Sequence, residues 1–174
     1  VTDWSYDYFE QVEAFSPIID FAPGASGSAP ETANAAALGD DGITTEAKVL
    51  DPGLAAWLRA VAARTGDNVI SADDRVHIEH FLIGWVMQLD VPTAATSKVW
   101  LTGQVSGEGI SGDLPLTTTF DYLECGRGLF TSYHTAGRDL DPFASLTPFP
   151  DYCHEGEPLS PQERVLEYLI LHIA

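Results

Sequence analysis

Apolar positions recur along this chain with two different periods, and the switches between them divide it into elements. At the start, Trp4, Tyr8, Val12 and Phe15 fall on one face of a helix over residues 3–15. Thr2 or Asp3 can cap that helix, and Ser16-Pro17 stops it. Ile18-Ile19-Asp20-Phe21 then reads as a short strand. Residues 22–42, rich in Gly, Ala, Ser and Asp, read as a loop. Residues 45–50 have strand character. Asp51-Pro52 opens a second helix, with Asp51 as cap and Pro52 at the first helical position. Leu54, Trp57, Leu58 and Val61 supply its apolar face, and it ends near Gly66.

From Val76 the period falls to two. Val76-His77-Ile78-Glu79 alternates, and residues 84–89 and 98–103 read as further strands. Gly107, Gly109 and Gly112 mark residues 107–113 as a turn or loop, because glycine takes positive φ at no steric cost. Residues 116–123 and 129–133 are two strands joined through 124–128 in a hairpin-like connection. A long proline-bearing loop over 135–159 follows. Ser160-Pro161-Gln162-Glu163 is a capping box that opens a last helix. Val165, Leu166, Leu169, Ile170 and Ile173 give that helix a wide apolar face to dock on a sheet. The order predicts one α/β domain over residues 1–174, a layered mixed sheet flanked by helices. No internal repeat is visible. The chain opens on an aromatic helix with no strand before it, as a layered domain does when it is entered part-way.

Composition narrows the class. With 174 residues, 45% of them hydrophobic, the chain can bury roughly two-thirds of its unfolded surface. No apolar run approaches the ~20 residues that span a bilayer, so membrane insertion is not expected. The opening VTDWSYDYFE lacks the basic and apolar regions of a signal peptide. Acids outnumber bases 26 to 8, a formal net charge of −18. Such a surface repels phosphate backbones, so nucleic acid is not an expected partner. It suits a salty or extracellular setting. Cys125 and Cys153 could close a ring by a disulfide that stabilises by about 3–4 kcal/mol. The pair points to an exported protein, extracellular, periplasmic or at the cell surface.

Several side chains could carry chemistry. Asp139, Asp141, Asp151, Glu155 and Glu157 crowd the long loop beside Cys153 and His154, which makes Ca²⁺ the metal to consider. No EF-hand spacing is present, and the alternative expectation is no cofactor. His77 and His80 flank Glu79, a spacing that would suit zinc on a helix. The local alternation instead sends them to opposite faces of a strand. Trp4, Trp57, Trp85 and Trp100 are placed to fill a core, although an exposed row of them would stack on sugar rings.

Residues 126–134, Gly-Arg-Gly-Leu-Phe-Thr-Ser-Tyr-His, together with residues 159–170, resemble the C-terminal part of class I glutamine amidotransferase-like domains, nearest to the trehalose-utilisation (ThuA-like) branch. Asp3-Trp4 resembles the position just after a Gly-Gly-strand segment of those domains, which would lie upstream of Val1. The resemblance covers about the last third of the chain and its first few residues. It implies a flavodoxin-like layered fold whose N-terminal strands are not within this chain and would come from a companion chain or another segment. Active members pair a nucleophilic Cys on a strand-to-helix elbow with a His that has a Glu two residues later. His134 takes the place of that His, but position 136 is alanine, and Cys125 lies before the glycine turn rather than on an elbow. The resemblance therefore implies a non-catalytic binding or interaction module, secreted or surface-attached. The alternatives are a hydrolase of the same fold, with His134 as general base and Ser132 beside it, and a calcium-stabilised carbohydrate-binding module.

Overall fold

The computed structural model of the chain describes residues 18–21, 38–79, 81, 88–90, 96–122, 126–134 and 158–173. Both predicted helices within that range form where their caps place them. Helix α1 (Pro52–Thr65) starts from Asp51, whose extended backbone lets Oδ1 accept the Leu54 N–H at 2.7 Å. Gly66, in the left-handed region at φ 80°, closes it by donating its N–H to the Ala62 carbonyl. Helix α2 (Pro161–Ile173) starts from a reciprocal pair. Ser160 N donates to Glu163 Oε2 at 2.6 Å, and Glu163 N donates to Ser160 Oγ at 3.3 Å.

The described strands are β1 (Asp20–Phe21), β2 (Thr45–Val49), β3 (Arg75–Ile78), β4 (Gln88–Asp90), β5 (Ser97–Gly107), β6 (Ile110–Tyr122) and β7 (Gly126–Thr131). Five form one sheet in the order β3-β2-β5-β6-β7, and β1 pairs with β4 in a small second sheet. Every described ladder is antiparallel. The mixed α/β class with helices against a sheet is thus present, in a strand-rich form. A flavodoxin-like order, which needs parallel strands joined by helical crossovers, is not among the described strands.

Two glycine-rich stretches depart from their sequence reading. The expected loop over 107–113 contracts to a two-residue turn, Glu108-Gly109, with φ 41° and 83°, and Gly107 pairs with Ile110 across it. Two successive positive-φ residues twist a hairpin in the sense that the strands themselves twist. Residues 110–113 therefore continue β6. Gly126-Arg127-Gly128 likewise is the first half of β7 rather than a turn. Gly128 lies opposite Phe120, and the phenyl ring occupies the space that a Cβ there would need.

The core lies on the helix side of the sheet. Leu54, Leu58 and Val61 of α1 and Val165 and Leu169 of α2 pack with Ala47, Val49, Val76, Ile78, Leu101 and Leu116 of the strands. Irregular register between Val99 and Thr102 turns both Trp100 and Leu101 inward. The opposite face is covered too: Phe21 of β1 meets Phe130 edge-on at 5.1 Å, and Thr118 Oγ1 donates to Gln88 Oε1 of β4 at 2.9 Å. Coverage on both faces explains the unbroken buried run from Pro115 to Phe120.

Candidate functional site

The residues expected to form a reactive pair, Ser132 and His134, lie just after β7, and no hydrogen bond joins their side chains. Ser132 is buried, and its Oγ has no hydrogen-bond partner among the described residues, so no imidazole activates it. His134 enters the packing through its main chain, its carbonyl accepting from Gln162 Nε2 at 2.5 Å. Tyr133 between them is wholly buried against Phe81 and bonds Thr117 Oγ1 at 2.8 Å. Burial pushes the Tyr133 phenol far above its ordinary range, with the Thr117 bond opposing. It stays neutral and structural.

A different place gathers charge, aromatic rings and open space. Lys98 and Trp100 of β5, Thr119 and Asp121 of β6, Arg127 of β7 and His172 of α2 line a cleft of about 390 Å³. The antiparallel pairing of β6 with β7 sets Asp121 directly opposite Arg127. Arg127 Nε meets Asp121 Oδ1 at 2.6 Å and Nη2 meets Oδ2 at 3.4 Å, a forked contact. Through that bond each group holds the other charged: the Asp121 carboxyl lies below the usual carboxylate range, and Arg127 lies above its own. Arg127 Nη1 also reaches the His172 carbonyl at 3.4 Å, in the last turn of α2, where carbonyls lack intrahelical partners.

Lys98 completes the other wall. Its Nζ lies 3.7 Å from the Trp100 ring centroid and 2.6 Å from Asp51 Oδ2, so the α1 cap carboxylate doubles as its counter-ion. Burial pushes the Asp51 carboxyl up, but the bonds from Lys98 and from Leu54 N together outweigh burial and hold it below the usual range. Trp100 Nε1 donates to Thr119 Oγ1 at 2.8 Å, which fixes the indole. The His172 ring stacks on Tyr168 with centroids 4.0 Å apart and meets Trp100 edge-on. Burial, and after it the Asp51 charge, raises the Tyr168 phenol. The cleft can therefore offer donors and acceptors held in fixed places, and among the described residues it presents no hydroxyl poised against a base.

Of the other expected residues, Cys125, Cys153, Asp139, Asp141, Asp151 and Glu155 lie outside the described residues, as do His80, Trp4 and Trp85. His77 lies on edge strand β3, with Nδ1 2.7 Å from Glu46 Oε1 and Nε2 3.9 Å from Glu79 Oε2. The two carboxylates approach opposite sides of its ring, an arrangement unlike a chelate. Among the described residues no group of three or more His, Cys, Asp or Glu could hold a metal ion, and no helix is long and apolar enough to cross a membrane. Trp100 is buried and Trp57 packs on Tyr168 at 5.4 Å, so neither stands in an exposed row. Sequence reasoning passed over Lys98, Asp121, Arg127 and His172. The usable signal was register, because an Asp and an Arg six residues apart meet only if 126–128 is a strand. No protein-family model matches the chain, no curated protein matches it in sequence, and no solved structure matches its fold.

Proposed function

We propose that this chain is a non-catalytic binding module whose ligand sits in the cleft between the end of α2 and strands β5, β6 and β7. The observation that carries the reading is the cleft itself, where charged side chains from three strands meet a helix end around a space large enough for a small ligand. Its polar groups are locked by one another, Arg127 by Asp121, Lys98 by Asp51 and the Trp100 indole by Thr119, which favours holding a ligand over chemical change. The burial of Ser132, whose Oγ bonds no base among the described residues, supports the same view. The acidic surface and the two cysteines support a secreted or surface-attached setting, without a nucleic-acid partner. The amidotransferase-like, flavodoxin-like relation rests on the sequence resemblance alone, and the antiparallel ladders add no support to it.

The test is a ¹H–¹⁵N NMR titration of the full chain with four probes at millimolar concentration: glycerol, acetate, inorganic phosphate and ethylammonium. The reading expects shift changes for at least one probe that centre on the Trp100 indole and on residues 98, 121, 127 and 172. Changes centred elsewhere overturn it. Cleavage of a p-nitrophenyl ester that disappears in Ser132→Ala or His134→Ala would restore the hydrolase alternative.

A further inference from the structure

The charge pattern of the cleft narrows what it can hold. Its two basic side chains already face acids, Arg127 through the fork to Asp121 and Lys98 through the 2.6 Å contact with Asp51. An anion entering the cleft would have to displace a carboxylate from an aligned pair, and it would approach a molecule of net charge −18. A cation is drawn by that net charge, but inside the cleft it meets Arg127 and Lys98 at close range while the acids facing them are already engaged. Either ion must break an existing pair to find a counter-charge. A neutral ligand keeps both pairs intact and can still use them, because a forked Asp–Arg pair shows an acceptor and a donor side by side. Adjacent hydroxyls on a ring, each both donor and acceptor, match that arrangement. The exposed His172 ring, backed by Tyr168 at 4.0 Å, supplies the flat face that the C–H groups of such a ring need.

We infer that the cleft binds a neutral, hydroxyl-rich ring, a monosaccharide unit, with Asp121 and Arg127 reading adjacent hydroxyls. The inference rests on the binding reading above and names the ligand class for that same cleft.

Saturation-transfer NMR and calorimetry on the full chain test it with the methyl glycosides of glucose, galactose and mannose, with glucuronate as the anionic match and glucosamine as the cationic one. At least one neutral glycoside is expected to bind about tenfold more tightly than its charged counterparts, the scale of one buried polar group left without its partner. Asp121→Asn keeps the side chain's shape and removes the counter-ion of Arg127. In that variant the neutral glycoside should weaken and glucuronate should gain, reversing the order of preference. Loss of a structural contact alone would not produce this reversal. Glucuronate or glucosamine binding the unaltered chain at least as tightly as every neutral glycoside overturns the inference. So does silence from all glycosides while glycerol, acetate, phosphate or ethylammonium still perturbs the cleft, an outcome that leaves the binding reading standing. Silence from every probe in both experiments removes both.

Discussion

Asp51 does two jobs with one carboxylate. Oδ1 caps α1 through Leu54 N and Oδ2 holds Lys98 over Trp100. Asp51→Ala removes both and should cost about 1 kcal/mol for the cap alone. Asp51→Asn keeps a capping oxygen and removes only the charge, so urea unfolding of the three proteins separates the contributions. The carboxyl's native pKa is lowered, so its charge contributes stability that is complete above the unfolded value near ~3.9 and fades as pH falls through the native one. The gap between the unaltered chain and Asp51→Asn should therefore hold from pH 7 to 5 and close in stronger acid. A gap that persists below pH 2 would show that charge is not its source. Gln162 also has two duties. Fully buried, it accepts from Glu79 N at 3.0 Å and donates to the His134 carbonyl, tying α2 to the end of β3 and to the segment after β7. Gln162→Leu leaves both backbone groups unpaired and should destabilise by roughly 2–3 kcal/mol, and Gln162→Glu, which sets a buried carboxylate against the His134 carbonyl, should lose at least as much at pH 7. A loss well below about 1 kcal/mol for Gln162→Leu in urea titrations would mean that the two bonds carry little.

At the level of elements, the turn between β5 and β6 is where local chemistry and geometry disagree. Glu108 sits at φ 41° in a place that asparagine or glycine fills more easily. Glu108→Asn should raise stability by about 0.5–1 kcal/mol, and Gly109→Val should lower it by about 1–2 kcal/mol, both read as shifts in the thermal midpoint. A midpoint unmoved by either would show that the turn adapts without strain. This turn also shows why the sheet was only half legible. Elements marked by caps were readable, since Asp51-Pro52 and Ser160-Pro161-Gln162-Glu163 each name a helix start by hydrogen bonds within one turn. Strand ends were not, because Gly107, Gly109, Gly126 and Gly128 look alike in sequence although only Gly109 among them has a positive φ. Gly128 is a strand residue because the Phe120 ring needs its missing side chain, a partner eight residues away that no local pattern announces. Strand order was equally hidden. Antiparallel pairing of β2 with β5 depends on contacts some fifty residues apart. The cleft inherited that opacity, because Asp121 faces Arg127 only once the β6–β7 register is known.

Over the whole molecule, charge is unevenly opposed. Lys48, Arg59, Arg75, Lys98, Arg127 and Arg164, six of the eight Lys and Arg residues, each lie against an acid. With 26 acids present, no arrangement of eight bases can neutralise the rest, and the excess of 18 repels itself across the surface. Salt acts on the two kinds of interaction unequally. The close pairs, such as Lys98–Asp51 and Arg127–Asp121 at 2.6 Å, lie inside a Debye length of about 4 Å even at 0.5 M. Repulsions between unpaired carboxylates act over longer distances and are largely extinguished there. Exposed pairs are also worth little individually, ~0–1 kcal/mol each. Raising NaCl from 20 mM to 0.5 M should therefore stabilise the fold, and a relief of ~1–2 kcal/mol corresponds to a rise of roughly 2–8 °C in the midpoint. Most of the rise should come below 0.15 M, where the Debye length shrinks fastest. A midpoint that falls over that interval would mean the six local pairs outweigh the excess charge, and the acidic surface would then need an explanation other than solubility in a salty setting.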